Sequence, residues 1–396
     1  MHLIFTDRTY EKTGGGENLI YEIVKAAHNS LNIMSIIIGS KKSFVVKRLT
    51  EDGIPFRFYD QDQLTFDNVS TAPDDLMINF HNYDGLHKLR GFCGKTILWG
   101  ILAPQIIEWN RFGIEKKLTG KKIVGNFFTK KLLFSMKHKN ALISMDGATS
   151  DAIDDFVGEP LNLPIISIPV DVNDIRLPKK TGTMSSNLLQ VSYIGRSDDL
   201  WKIKPVKKII QDLSRVKNKK FILNVYTDCA DPYVKELQNL CGANISVKYH
   251  TGLYGPQIRT HINMHSDLHF SMGTAALEGA LSGVATILID PCVYDLPLEY
   301  KYNWLFQTTR NSLGRFIGKD EIQFSGMDMA EVIETCFDEK RQYAIATSCS
   351  KYVMENHSAL AVAEKLIACP TRAGIKDVFD FTPATWRGVV KIKNMF

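Results

Sequence analysis

Between Ser266 and Asp290 an apolar strand over 268–272 runs directly into Gly273 and Thr274. A helix of small residues carrying Glu278 follows, and a second apolar strand over 285–289 closes the unit. A glycine turn lets backbone N–H groups approach an anion closely, and the helix N-terminus adds roughly half a positive charge. Glu278 lies about one turn inside that helix, where its carboxylate can accept hydrogen bonds from sugar hydroxyls. Residues of these types at this spacing suit a ligand that is both phosphorylated and rich in hydroxyls, which is the chemistry of a sugar nucleotide.

The elements that must position such a site alternate strand and helix, twice. Apolar runs at 2–6, 31–39, 54–59, 76–80, 96–101, 140–145 and 165–170 read as strands, and helical periodicity separates the first two through Leu19, Ile20, Ile23, Val24 and Ala27. The polar, turn-rich stretch from Pro178 to Ser186 reads as a linker. Strands then recur near 188–195, 221–227, 245–250, 268–272 and 285–290, and from about 328 the chain reads mostly as helix. This pattern predicts an N-terminal Rossmann-like domain over 1–177, a linker over 178–187 and a second Rossmann-like domain over 188–350. Helices over 351–396 are expected to cross back to the first domain.

Composition sets the outer limits. A chain of 396 residues has room for two cores, and 44% hydrophobic with 23% charged residues is ordinary for a soluble globular protein. A net charge of +5 is too modest to argue for nucleic acid. The seven cysteines (Cys93, Cys229, Cys241, Cys292, Cys336, Cys349 and Cys369) include no C-x-x-C pair, which favours reduced thiols in a cytoplasmic protein over a disulfide framework or zinc site. The N-terminal residues lack the basic region of a signal peptide, and no apolar run reaches the ~20 residues a spanning helix needs. Two other nucleotide motifs fail on their residues. The stretch from Gly14 to Leu19 lacks the dinucleotide spacing, and Gly94-Lys95-Thr96 has Leu89 where a P-loop needs glycine and is followed by a strand. Asp60 and Asp62 form a D-x-D pair without supporting ligands and read as a solvated loop, so no metal or other cofactor is expected.

The stretch from Leu277 to Ile287 resembles the donor-binding block of GT-B glycosyltransferases, especially the family-4 class, in which a Leu-Glu-Ala-x-x-x-Gly helix leads to a strand beginning Pro-Val-Ile. Further pieces match in order over roughly residues 1–300. Thr13 to Glu17 is similar to the family's Gly-Gly-x-Glu turn, and Asn140 to Ile153 to its strand and helix around a serine. Ile165 to Asp171 resembles the strand ending Ile-Pro-Asn-Gly-Val-Asp, and Val191 to Lys202 the Gly-Arg-Leu…Lys-Gly segment. Tyr249 to Arg259, which includes Tyr254, is similar to the segment that flanks the base. The resemblance implies an α/β GT-B fold, two Rossmann-like parallel-sheet domains facing a central cleft. It implies transfer of a hexose from a nucleotide sugar to a hydroxyl acceptor, with retention favoured.

On this resemblance Arg196, Lys202 and the backbone of Gly273, Thr274 and Ala275 hold the diphosphate, and Glu278 the ribose. A guanidinium and an ammonium stabilise the charge that develops on a departing diphosphate; Lys204 competes with Lys202 for that role. Gly15, Gly16 and His81 would face the sugar and acceptor, with His81 and Asp146 as candidate proton acceptors. One departure is clear: Phe270 stands where the family carries its first glutamate, eight positions before Glu278. This leaves open both the donor sugar and the stereochemical course. A nucleotide-sugar 2-epimerase of the same fold and a degenerate GT-B subunit binding glycan or a partner are the alternatives.

Between Arg111 and Lys139 nine basic residues, opposed only by Glu115, interleave with apolar ones. Such a stretch suits an anionic membrane surface and a lipid-linked or glycan acceptor, with the protein peripheral at the inner face of a membrane. An amphipathic helix with a lysine-rich outer face reads equally well.

Overall fold

The computed structural model describes residues 1–7, 15–61, 63, 72–80, 92–101, 122–178, 187–197, 200–231, 234, 237, 240–253, 255–315, 317 and 324–379. The chain divides into two units, Met1–Pro169 with Ala359–Phe396, and Val170–Ser358.

In the first unit, strands β1 (Leu3–Thr6), β2 (Ser35–Gly39), β3 (Phe56–Asp60), β4 (Leu76–Asn79), β5 (Lys95–Gly100) and β6 (Leu142–Ser144) form one sheet in the order β3-β2-β1-β4-β5-β6. Every pairing in it is parallel. Strands β1, β2 and β4 are buried along their whole length, which is why they read in sequence as unbroken apolar runs. The helices are α1 (Gly15–Leu31), α2 (Phe44–Glu51), α3 (Lys122–His138) and α4 (Gly147–Val157). Helix α1 carries Glu17 in its first turn, where the helix dipole favours an anion, and Asn32 just beyond its end takes the left-handed conformation of a C-cap, with φ 53°.

The second unit repeats this plan. Strands β7 (Leu188–Ile194), β8 (Lys220–Tyr226), β9 (Ile245–His250), β10 (Leu268–Ser271), β11 (Ala285–Leu288) and β12 (Asn303–Trp304) are ordered β12-β11-β10-β7-β8-β9. Counted from the first strand of each unit, both sheets have the order 3-2-1-4-5-6 of a dinucleotide-type doubly wound sheet. Only β12 runs antiparallel. Helices α5 (Leu200–Arg215), α6 (Pro256–His265), α7 (Thr274–Leu281), α8 (Met329–Phe337) and α9 (Glu339–His357) belong to this unit. Helices α10 (Ala359–Ile367) and α11 (Ile375–Phe379) return to the first, where α10 packs on α1 and Ile375 and Val378 join the core.

Residues 170–177 lie with the second unit, where the Arg176 N–H donates to the Leu281 carbonyl (2.8 Å) and Asn263 donates to the Leu177 carbonyl (3.2 Å). Helix α9 runs unbroken through position 350. The expected strand over 165–170 is not one: Ile165 and Val170 make only isolated bridges, to Ser144 and Ser358. Pro164 and Pro169 flank this stretch without an N–H to offer a ladder. The sequence reading also missed β12, whose two residues carry no periodicity.

Candidate functional site

In the second unit the chain order reverses between β7 and β10, so the carboxyl ends of these two neighbours form the topological switch point, the usual place for a ligand in such sheets. The Ser271 hydroxyl at the end of β10 donates to the Ile194 carbonyl at the end of β7 (3.1 Å), tying the two ends together. From β7 the chain turns through Gly195, Arg196 and Ser197. A Cβ at Gly195 would lie 2.5 Å from the Tyr193 ring, whose hydroxyl donates to the Lys202 carbonyl (2.9 Å) in the first turn of α5. Glycine is therefore required for the tyrosine to brace the helix start. Asp228, just beyond β8, accepts from the Ser197 N–H (2.8 Å), the Ser197 hydroxyl (3.2 Å) and the Thr227 hydroxyl (3.1 Å). Burial pushes its pKa up, but these hydrogen bonds outweigh that and hold it below the usual carboxylate range. The side chain of Arg196 lies exposed on this pinned turn.

From β10 the chain enters α7 through Gly273, at φ 58° and ψ −143°, a conformation closed to residues with a Cβ. The Gly273 N–H donates to the Leu313 carbonyl (2.7 Å), and the Ala276 N–H returns to the Gly273 carbonyl (3.1 Å). Of the three backbone donors expected to hold phosphate, Gly273 is thus engaged. The N–H groups of Thr274 and Ala275 make no hydrogen bond among the described residues. Beneath the helix His269 is wholly buried. Its Nε2–H donates to the Ala275 carbonyl (3.2 Å), a partner that can only accept, which leaves Nδ1 to accept from the Ser192 hydroxyl (2.9 Å). Burial pushes the His269 pKa down to about 4, so the ring is neutral near pH 7.

Glu278 does not stand alone. Arg259 of α6 grips its carboxylate bidentately, with Nε to Oε2 at 2.5 Å and Nη2 to Oε1 at 3.2 Å. The Arg259 side chain is 6% exposed and that of Glu278 20%. Phe270, at the family's glutamate position, lies inside β10 and packs edge-on against Tyr302 in the core (5.6 Å between ring centroids). The two-residue connection Met272-Gly273 leaves no loop on which a carboxylate could stand. Lys202 lies over the Trp201 ring (4.8 Å), while its rival Lys204 is bonded to Asp295 (2.7 Å).

The first unit has its own switch point between β1 and β4. His81 falls outside the described residues, as do Tyr254, residues 111–121 of the basic stretch and the side chains of 122–128. Gly15 opens α1, and a Cβ on Gly16 would make only ordinary contacts with Phe80 and Ile101. Asp146 is the N-cap of α4, 3% exposed, its carboxylate accepting from the Thr149 N–H (2.7 Å). At the end of β1 stands Asp7, which the sequence reading did not single out. It is 1% exposed; burial pushes its pKa up to about 6, against a hydrogen bond from Ser43. Beside it Thr6 Oγ1 and both polar atoms of the Asn79 amide are buried without partners among the described residues. Within the basic stretch, Lys130 donates to the Val157 carbonyl (3.0 Å) and Lys139 pairs with Asp377, so both of these ammonium groups are engaged internally.

No protein-family model and no curated protein matches the chain. Solved structures do. HepE of Anabaena, in complex with UDP and glucose, is 14% identical, with a TM-score of 0.52 covering 92% of this chain and 98% of that one. A TarM variant of S. aureus, in complex with UDP, fondaparinux and α-GlcNAc-glycerol, is 11% identical, with a TM-score of 0.57 and coverage of 93% and 99%. The lipopolysaccharide outer core galactosyltransferase WaaB is 11% identical, with a TM-score of 0.51 and coverage of 93% and 99%. The fold is GT-B. Within this GT-B chain, no helix among the described residues is long and apolar enough to cross a membrane, and no group of three His, Cys, Asp or Glu residues among them could hold a metal ion.

Proposed function

We propose that this GT-B protein is a glycosyltransferase that moves a sugar from a nucleoside-diphosphate sugar to a hydroxyl of a surface glycan or glycolipid. The observation that carries this reading is the β7/β10 switch point. There the pinned turn bearing Arg196 and the open N-terminus of α7 stand side by side, with Glu278 one turn further along.

In this reading the N–H groups of Thr274 and Ala275 and the dipole of α7 receive the diphosphate. Arg196 and Lys202 stabilise the charge that grows on it as the glycosidic bond breaks. The Glu278 carboxylate accepts from the ribose, Tyr254 flanks the base, and Gly15, Gly16 and His81 face sugar and acceptor. Resemblance to the family-4 class favours retention, and UDP is the first nucleotide to try because two of the similar folds hold it.

Thermal shifts of the purified protein against UDP, GDP, CMP, ADP and dTDP test the reading. A ligand at 100 times its Kd stabilises by about 2.7 kcal/mol. One nucleotide is expected to raise the melting temperature, with the gain reduced in Arg196→Ala and in Glu278→Ala. No shift with any of them at millimolar concentration overturns the reading and leaves a degenerate binding subunit.

A further inference from the structure

Arg259 has no place in the chemistry described so far, yet it is among the most constrained charges in the second unit. It is the fourth residue of α6 and only 5% exposed. Nε and Nη2 fork the two Glu278 oxygens, while Nη1 donates to the carbonyls of Asp171 (2.9 Å) and Asp174 (3.4 Å). Three separate segments therefore fix the guanidinium: α6, α7 and the chain just after it enters this unit at Val170. Burying a guanidinium against one carboxylate is a poor route to stability, because desolvation of both charges offsets their attraction. What such a pair does supply is orientation, since a planar fork locks a flexible carboxylate into one plane.

A carboxylate has about four acceptor positions, two on each oxygen. The fork takes the two converging positions, one on each oxygen, and leaves the outer ones, which diverge to either side, on a side chain that is still 20% exposed. An outer position on a carboxylate held in this way can accept from one hydroxyl of a ribose. We propose that Arg259 is the positioning residue for Glu278, holding its carboxylate so that an outer acceptor position meets a hydroxyl of the nucleotide ribose. This rests on the nucleotide-sugar reading above and adds the device that makes it selective for a ribonucleotide. Arg259 itself touches no ligand.

Calorimetric affinities for UDP and for 2′,3′-dideoxy-UDP decide the matter, measured on the wild-type protein, Arg259→Lys and Arg259→Met, with ligand-free melting curves alongside. One charge-assisted hydrogen bond to Glu278 is lost with the ribose hydroxyls, so the wild type is expected to prefer UDP by about tenfold or more. In Arg259→Met that preference falls below about twofold while UDP still binds through its diphosphate. Lysine keeps the charge without the fork and leaves about threefold. A merely structural arginine would lower the melting temperature and weaken both ligands alike, so a preference unchanged in Arg259→Met overturns the proposal. So does a wild type that binds the two ligands equally. Should the methionine variant fail to fold, an unchanged preference in Arg259→Lys overturns it instead. A wild type that binds no nucleoside diphosphate sinks the functional reading itself, which is a different result from an unchanged ratio.

Discussion

His269 and Gly279 meet face to face across the β10–α7 packing: a Cβ added at Gly279 would lie 2.0 Å from His269 Cδ2 and 2.6 Å from Cγ. The ring cannot move aside, because Ser192 and the Ala275 carbonyl hold both of its nitrogens and it is wholly buried. Helix α7, which carries the open N–H groups and Glu278, is thus seated at a height that only glycine at 279 allows. Gly279→Ala is expected to destabilise the protein by about 2–3 kcal/mol, the usual cost of overpacking. Differential scanning calorimetry reads the loss. In the double variant with His269→Ala the two effects should fall well short of additive, since the residues are in contact.

The turn after β7 owes its shape to Asp228. With the Ser197 N–H and hydroxyl both held by this carboxylate, Arg196 is presented from a fixed backbone. Asp228→Ala should weaken binding of the diphosphate by about tenfold, the worth of the charge-assisted bonds it removes. Affinity for the nucleoside without phosphates is expected to stay unchanged. Equal losses for both ligands, measured by titration calorimetry, would show that the turn does not serve the phosphates.

Lys202 and Lys204 compete for one role in the sequence but differ in their surroundings. Lys204 is bonded to Asp295, whose side chain is 75% exposed, and Lys202 lies over the indole of Trp201 at the start of α5. Lys204→Ala should cost less than about 1 kcal/mol in stability and leave turnover intact. Lys202→Ala is expected to lower kcat about a hundredfold, as removal of a group that stabilises transition-state charge does. Turnover of the donor identified by thermal shift, assayed for both variants, separates the two.

Both sheets were legible because buried parallel strands announce themselves as apolar runs, Leu3-Ile4-Phe5 and Ile36-Ile37-Ile38 being the plainest. The glycine turn before α7 was legible for a related reason, since Gly273 stands between a strand and a helix that are both strongly patterned. What stayed hidden depends on contacts between distant segments. Arg259 sits in an amphipathic helix beside Ile258 and reads as a solvated charge until Glu278, 19 residues on, closes over it. Asp228 looks like an ordinary loop residue, although it is 31 residues from the serine it holds. Asp146 shows the reverse: a strand-end carboxylate reads as a candidate base, while its position before Gly147 and three residues from Thr149 makes it a helix cap. Phe270 was noted as a missing glutamate by counting along the chain. In space that position is the interior of a strand, where counting residues no longer tracks the site.

Asp7 and His269 give the two units opposite responses to pH. Burial raises the Asp7 pKa from 3.8 to about 6, so the folded first unit binds a proton more tightly than the unfolded chain. The stability this contributes is present below pH 4 and is lost as pH rises through 6. Burial lowers the His269 pKa from 6.5 to about 4, so its contribution is present above pH 6.5 and is lost as pH falls toward 4. Each shift is worth about 3 kcal/mol, and over pH 4–6.5 the two run against each other. Asp7→Asn removes the first response and keeps the shape of the side chain. Relative to wild type it should gain stability progressively as pH rises from 4 to 6, and most of the gain should persist at pH 7.5. His269→Gln, which keeps a donor and an acceptor near Ala275 and Ser192, should compare best with wild type at pH 4.5 and worst at pH 7.5. Melting curves of the three proteins across this range check both signs at once, because parallel curves for either variant and wild type would mean that the substituted residue titrates alike in the folded and unfolded chains.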